Sequence, residues 1–312
     1  MPRYSIIIPN WNGARWLAPC LDALRAQTDQ DHEVIVVDNA SVDESRALLA
    51  ERYPEVRVVA LPHNLGFTGA CNAGLRVAGG QYLSLLNNDT EADPGWIAEV
   101  VAAFERHPGA GMIASKMLLF DRRDTFHTAG DVFKRDGTPG NRGVWQKDEG
   151  QFAEGDVFSA NGGSAAYRRT MLDQVGLLDD DFFFSCEDVD LAWRAQLAGW
   201  RAVYAPRAVV YHHLSASGGG VTASFHDGRN FIYLLAKDVP AVVWRRHARR
   251  ILGGQLRITW DALKAWRGAA ARARLRGQLA GLAGLPKMLA KRRIVQATRT
   301  ISEAAVLDLL SP

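Results

Sequence analysis

Acidic residues at three places in this chain could do chemistry. Asp38 closes the apolar run in "VIVVDNASVDES" (Val34–Ser45), and Asp89 closes the one in "YLSLLNNDT" (Tyr82–Thr90). Glu187, Asp188 and Asp190 cluster in "FFFSCEDVDLAWR" (Phe182–Arg194). Carboxylates can hold a hard divalent cation or take a proton from a hydroxyl. A further apolar run, "SIIIPNWNG" (Ser5–Gly13), also ends in polar residues. Continuous Val/Ile/Leu runs predict parallel strands buried on both faces. Ligands of an open α/β sheet bind beyond the carboxyl ends of its strands, so these ends predict one shared crevice.

The elements that must position those residues follow from the punctuation. Strands are expected at 4–8, 33–38, 56–60, 81–86, 111–115 and 201–205. Helices are expected near 14–27, 43–52, 67–78, 94–106 and 188–198, the last stopped by Gly199. Asp43 reads as a helix N-cap and Pro94 as a first-turn residue. Residues 117–160, rich in Gly, Asp and Arg, read as irregular strands and loops over the cleft. Alternating strands and helices predict a doubly wound α/β sheet.

The chain of 312 residues has ample material for a core, and no apolar run is long enough for a membrane-spanning helix. The first strand follows Met1 too closely for a signal peptide. Cys20, Cys71 and Cys186 are too widely spaced for a disulfide framework or a metal motif, which points to a reducing cytoplasm. Cys186 reads as a small buried hydrophobe.

A net charge of +3 hides an asymmetry. Residues 238–312 hold fifteen Lys/Arg against four Asp/Glu, whereas residues 1–237 hold twenty-two against thirty. The change of sign predicts a catalytic domain over 1–237 and a basic helical tail over 238–312. In the tail, Trp244, Ala248, Ile251, Leu252, Leu256, Leu263 and Trp266 recur at helical spacing. Arg246, Arg250, Arg257 and Lys264 lie largely on the other side. Such a helix suits the inner face of the cytoplasmic membrane. The competing readings are packing on the catalytic domain or on a second subunit, as in a homodimer. No recognition motif accompanies the charge, so no nucleic-acid partner is expected.

With "NLGFTGACNAGL" (Asn64–Leu75), "NGGSAAYRR" (Asn161–Arg169) and "VYHHLSAS" (Val210–Ser217), these strings resemble the inverting family-2 glycosyltransferases. The resemblance covers Tyr4 to Lys237, and the "LNNDT" form is most similar to bacterial rhamnosyltransferases of polysaccharide assembly. It implies a GT-A-like, Rossmann-like α/β domain with a mostly parallel sheet flanked by helices. The implied reaction moves a sugar from a nucleoside diphosphate donor (dTDP or UDP), with dTDP-rhamnose foremost, to a hydroxyl of a glycan or lipid-linked glycan. A UDP-hexose transferase and a non-catalytic glycan- or membrane-binding scaffold are the alternatives. A dinucleotide oxidoreductase is disfavoured, because "PNWNGARW" lacks the G-x-G-x-x-G turn.

Residue roles follow. An inverting transfer must neutralise charge on a leaving diphosphate, for which Mg²⁺ or Mn²⁺ is suited. Asp89 is the natural ligand, and Asn87 stands where the family's Asp-x-Asp motif has its first acid. The resemblance adds His212, ahead of His213, near the metal, and a mobile loop at Gly218–Gly220. It places Asp38 on the imide N–H of a pyrimidine, with Pro9 and Trp11 walling the base and ribose. Asn10, Asn12, Asn39, Asn64, Gly66, Asn72 and Asn88 complete the expected nucleotide site. Adjacent residues on a helix do not share a face, so Glu187 and Asp188 should point differently. In families with this pair the Asp is the base, which selects Asp188, with Glu187 as the alternative. Phe182–Phe184 would partly desolvate the pair and raise a carboxyl pKa. Asp190 reads as helix-dipole chemistry, and Arg194 and Arg229 as either diphosphate contacts or surface pairs.

Overall fold

Side chains alternating along β1 (Tyr4–Asn10) enter two separate cores: Ile6 and Ile8 one, Ile7 the other. The strand is therefore covered on both faces, as its unbroken apolar run requires. The structure, a computed structural model, describes residues 2–213 and 220–312. The loop expected to be mobile at Gly218 and Gly219 lies outside the described residues.

The alternation continues through α1 (Ala14–Arg25), β2 (His32–Asp38), α2 (Ser45–Arg52), β3 (Arg57–Ala60), α3 (Gly66–Val77) and β4 (Tyr82–Leu85). Next come β5 (Thr90–Ala92), α4 (Trp96–Arg106) and the long β6 (Ala110–Leu119). The stretch expected to be irregular holds β7 (Phe126–Thr128), β8 (Asp131–Lys134), β9 (Pro139–Asn141) and β10 (Gly155–Val157). Then follow β11 (Ala165–Arg168), α5 (Arg169–Val175), a 3₁₀ turn at Asp180–Phe182, α6 (Glu187–Leu197), β12 (Arg201–His212) and α7 (Val221–Lys237). The last segment folds as α8 (Ala241–Lys264), α9 (Ala269–Ala283), α10 (Leu285–Ala297), α11 (Glu303–Asp308) and β13 (Leu310–Ser311).

The main sheet runs β10-β12-β6-β11-β4-β1-β2-β3. Strands β3, β2, β1 and β4 are parallel, and β11 is antiparallel to both β4 and β6. Helices α2 and α4 each start two residues later than expected. Helix α2 begins at Ser45, and Asp43 accepts the N–H groups of both Ser45 (3.1 Å) and Ala14 (2.9 Å), tying α1 to α2. Helix α4 begins at Trp96, and the Pro94 carbonyl accepts the Thr28 N–H at 2.8 Å.

The basic tail packs on the sheet domain. Helices α7 and α9 touch along glycine: a Cβ on Gly277 would lie 2.0 Å from the Phe225 carbonyl oxygen, so no larger residue fits. Strand β13 pairs with β8. Helix α8 corrects the expectation of one apolar stripe. Ile251 and Gly254 are buried against the Asp136–Gly137 turn, and the Trp244 indole N–H donates to the Leu235 carbonyl. Leu252, Leu256, Trp260 and Leu263 remain 46–69% exposed, as does Trp266 just beyond the helix. The helix thus has two apolar faces, one used internally. Among the described residues no helix is long and apolar enough to cross a membrane.

Candidate active site

Two strand pairings bring Asp89 and His212 together. Strand β12 runs through Pro206, with an irregularity between Ala205 and Val209, and reaches His212 opposite Thr90 of β5. The His213 N–H then donates to the Asp89 carbonyl at 2.9 Å, locking the register. As a result His212 Nε2 lies 3.2 Å from Asp89 Oδ1, a buried oxygen at which no hydrogen-bond donor is directed. His212 Nδ1 meets His127 Nδ1 at 3.1 Å, with the rings stacked. Burial, helped by the neighbouring His212, pushes His127 down to about 4, so it is neutral at pH 7. If His212 donates its Nδ1–H to His127, its Nε2 is an acceptor that the Asn87 amide approaches at 3.4 Å, and a ligand there would displace that contact. His213 is placed otherwise, stacked on Phe120 and against Trp16.

Glu187 and Asp188 open α6 after a loop in which Phe183, Ser185 and Cys186 hold φ of 60°, 68° and 67°. Asp188 Oδ2 accepts the Gly162 N–H at 2.8 Å and its Oδ1 the Val189 N–H at 2.7 Å. Burial raises its pKa, and these backbone bonds oppose the rise by favouring the ionised form. Glu187 is pushed further: burial first, then the charge of Asp188, holds it well above the usual carboxylate range. Its Oε2 has no hydrogen-bond partner. The two carboxyls line the same cavity but differ in their bonding: Asp188 accepts two backbone N–H groups, whereas burial and the Asp188 charge raise Glu187 further. The "NGG" turn joins the two halves of the site, since the carbonyl of Gly163 accepts the Asn87 N–H at 2.9 Å.

These groups line one cavity of about 430 Å³, together with Asp131, Asn161 and Asp227. Phe67 and Phe184 separate it from a second cavity lined by Pro9, Asn10, Trp11, Asn39, Asn64, Gly66 and Asn88. Most of the expected nucleotide residues therefore share one wall. Asn10 accepts from the Asn88 amide at 2.7 Å, and Asn39 donates to Asn64 Oδ1 and the Gly66 carbonyl, both at 3.0 Å. Gly66 is required by the fold itself: with φ of +74°, its Cβ would lie 2.5 Å from the Phe183 carbonyl oxygen.

Several expected residues lie elsewhere. Asp38 is fully buried and does not line the cavity; its carboxylate takes Arg46 Nε at 2.5 Å and the Ser41 N–H at 3.3 Å. Asn72 is buried in the scaffold, its amide bonded to Leu178 and Asp180. Asn12 points outward to accept the Val42 N–H. Arg194 donates to Asp190 and to the carbonyls of Val175, Gly176 and Leu177, and Arg229 to those of Asp181 and Phe182, so neither meets a diphosphate here. Asp190 is no mere dipole partner: it is buried between Arg194 and Lys237. Conversely, His127 and Asp131 were not anticipated. Their only sequence signal is a His four residues before an Asp in a Gly-rich stretch.

The donor atoms fit a divalent cation. Adjacent ligands in an octahedral Mg²⁺ shell stand about 3 Å apart, from metal–ligand distances of roughly 2.0–2.1 Å, and Asp89 Oδ1 and His212 Nε2 keep 3.2 Å. Among the described residues no group of three or more His, Cys, Asp or Glu could hold an ion, so an ion between Asp89 and His212 would need further ligands from elsewhere. Mg²⁺ commonly takes the remainder from phosphate oxygens and water.

The Glycosyl transferase family 2 model matches residues 5–176. The chain is 28% identical over 266 residues to the N-acetylglucosaminyl-diphospho-decaprenol L-rhamnosyltransferase of Mycobacterium tuberculosis, covering 76% of this chain and 85% of that one. It is 30% identical over 228 residues to the O-antigen biosynthesis protein RfbC of Myxococcus xanthus, covering 69% of this chain but 18% of that one. Among solved structures, S. aureus TarS 1-349 superposes with a TM-score of 0.59 at 17% identity, covering 95% of this chain and 90% of that one. The mannosyltransferase PcManGT of Pyrobaculum calidifontis, solved with GDP-Man and Mn2+, gives 0.57 at 17%, covering 98% and 85%. On this evidence the chain belongs to glycosyl transferase family 2 and has the GT-A fold.

Proposed function

We propose that this enzyme transfers a sugar, with inversion, from a nucleoside diphosphate donor to a hydroxyl of a glycan or lipid-linked glycan. The observation that carries this is the cavity in which the Asp89–His212 pair and the Glu187–Asp188 pair both open, beside a second cavity walled by Pro9 and Trp11. In this reading Asp188 takes the proton of the acceptor hydroxyl. The acceptor oxygen bonds to the anomeric carbon as the bond from that carbon to the donor's β-phosphate oxygen breaks, releasing nucleoside diphosphate. Glu187, raised further than Asp188 by burial and by the Asp188 charge, holds its proton the more readily of the two and leaves Asp188 as the acceptor of the hydroxyl proton. Asp89 and His212 would hold Mg²⁺ or Mn²⁺, which offsets charge on the departing diphosphate as a Lewis acid. Pro9, Trp11 and the Asn10, Asn39, Asn64 and Asn88 cluster would receive the nucleoside.

The similarity to the M. tuberculosis N-acetylglucosaminyl-diphospho-decaprenol L-rhamnosyltransferase supports rhamnose as the sugar and a polyprenyl-linked glycan as acceptor. A lipid-linked acceptor suits the exposed Leu252, Leu256, Trp260 and Leu263 face of α8, set in a tail with fifteen Lys/Arg against four Asp/Glu. We assign that face to an anionic membrane surface, at about 1 kcal/mol per basic residue near it. The experiment is a panel of dTDP-, UDP- and GDP-sugars, read by thermal stabilisation and by product formation with Mg²⁺ or Mn²⁺ present. Stabilisation and turnover with dTDP-rhamnose support the reading. Turnover with a UDP-hexose alone would replace the sugar, and no turnover with any donor and a polyprenyl-diphosphate glycan acceptor would remove the activity.

A further inference from the structure

The Phe183–Cys186 loop is conformationally costly. Three of its four residues hold left-handed φ without being glycine, a state that persists only when the surroundings impose it. The imposing group lies on α7. Asn230 is fully buried, and its side-chain nitrogen donates to the carbonyls of Phe182 (3.1 Å), Phe184 (2.9 Å) and Ser185 (2.6 Å). Arg229 fixes which way that amide faces: its Nε donates to Asn230 Oδ1 at 2.9 Å, turning the nitrogen toward the loop. The same guanidinium also donates to the carbonyls of Asp181 (2.9 Å) and Phe182 (2.7 Å). Two adjacent side chains thus satisfy four carbonyls of the segment that delivers Glu187 and Asp188 to the cavity. Ser185 receives a further hold, donating its hydroxyl to Asp227 of the same helix at 2.7 Å.

The geometry points to Asn230 as a positioning residue for transfer, acting through the loop on Asp188. This rests on the reading of Asp188 as base. With the amide lost, the Phe184 and Ser185 carbonyls lose this donor, Phe182 keeps only Arg229, and the left-handed residues can relax, which would draw Asp188 off the Gly162 N–H. The donor-side cavity shares Phe183 and Phe184 with this loop, whereas its other wall, with Pro9, Asn10, Trp11 and Asn88, stands on the ends of β1 and β4, so nucleotide binding should suffer less than transfer.

The test compares Asn230→Asp, which keeps the size but removes the donor, with Asn230→Ser, which keeps a single hydroxyl donor. Full-length protein is assayed with saturating acceptor below its measured unfolding midpoint, and the nucleoside diphosphate Kd is measured beside kcat. The expected result is a kcat loss of at least tenfold for Asn230→Asp, a smaller loss for Asn230→Ser, and a rise in nucleotide Kd several-fold smaller than the kcat loss. A kcat within twofold for a folded Asn230→Asp would overturn the proposal, as would parallel losses in kcat and nucleotide binding. If Asn230→Asp does not fold, Asn230→Ser carries the same test; failure of both to fold would assign the residue to stability alone. Asp188→Asn run alongside separates the two readings: a wild-type rate there removes the base, whatever Asn230 does.

Discussion

His212 Nε2 and Asp89 Oδ1 stand 3.2 Å apart although one ends β12 and the other precedes β5. That pairing sets the first expectation, for the metal. Asp89→Ala should lose most turnover, and His212→Ala should raise the Mg²⁺ or Mn²⁺ concentration needed for half-maximal rate about tenfold or more. Titrating each variant with metal at fixed donor measures this. Full activity in excess chelator would contradict the assignment.

Base selectivity gives the second. Asp38, itself fully buried, is held by Arg46, whose side chain is 53% exposed. A thymine or uracil imide can reach Asp38 only if Arg46 swings away. Arg46→Met should therefore tighten dTDP or UDP binding a few-fold, and Asp38→Asn should weaken it about tenfold while leaving GDP unaffected. Calorimetry with the three diphosphates checks both. Tighter binding of GDP than of dTDP or UDP to the wild type would remove the pyrimidine assignment.

A third concerns stability. Lys237 is buried between Asp190 and Asp179, joining α7 to α6 and to the turn before it. Lys237 and Lys291 hold Asp179 well below the usual carboxylate range against the opposing effect of burial, and Arg194 and Lys237 lower Asp190 likewise. The same acids raise Lys237. Depressed carboxylates contribute stability above their unfolded pKa, near 4, and lose it as pH falls through the folded value. A raised lysine contributes below its own unfolded pKa, near 10.4. The latch is therefore whole at neutral pH and fails in acid. Lys237→Met should cost about 3–5 kcal/mol at pH 7, because it strands buried charge, and the difference from wild type should shrink below about pH 4. Denaturant unfolding across pH measures it.

The tail gives a fourth. Leu256→Glu with Trp260→Glu alters only exposed positions of α8, so folding and transfer to a short soluble acceptor should be unchanged. Sedimentation with phosphatidylglycerol vesicles should fall sharply, and wild-type binding should weaken in 1 M salt, where the Debye length is about 3 Å. Unchanged sedimentation of the variant would end the membrane reading. A concentration-dependent dimer lost in the same variant would assign the face to a second copy.

Much of this was legible from residue types. The runs ending at Asn10, Asp38 and Leu85 gave strands, because continuous apolar side chains can be buried only on two faces. Helix α6 begins one residue from its expected start. The continuity of β12 was not legible: a strand was expected at 201–205, whereas an irregularity between Ala205 and Val209 carries one strand on to His212. Nor could sequence separate the two faces of α8: Ile251 and Leu252 are equally apolar, and only the Asp136–Gly137 turn decides which is covered. Arg194 and Arg229 carried no sign that they would serve backbone carbonyls, since that need arises only once the turn at Asp180–Phe182 has formed.

Transfer by Asp188→Asn tests the central claim most directly. Its amide cannot take a proton from an acceptor hydroxyl, yet it retains an oxygen for one backbone N–H. With donor, Mg²⁺ and a polyprenyl-diphosphate glycan, the variant should bind nucleoside diphosphate within a few-fold of wild type and lose transfer by at least 10²-fold, the lower bound for a general base. Transfer at a near wild-type rate would contradict the account and turn attention to Glu187.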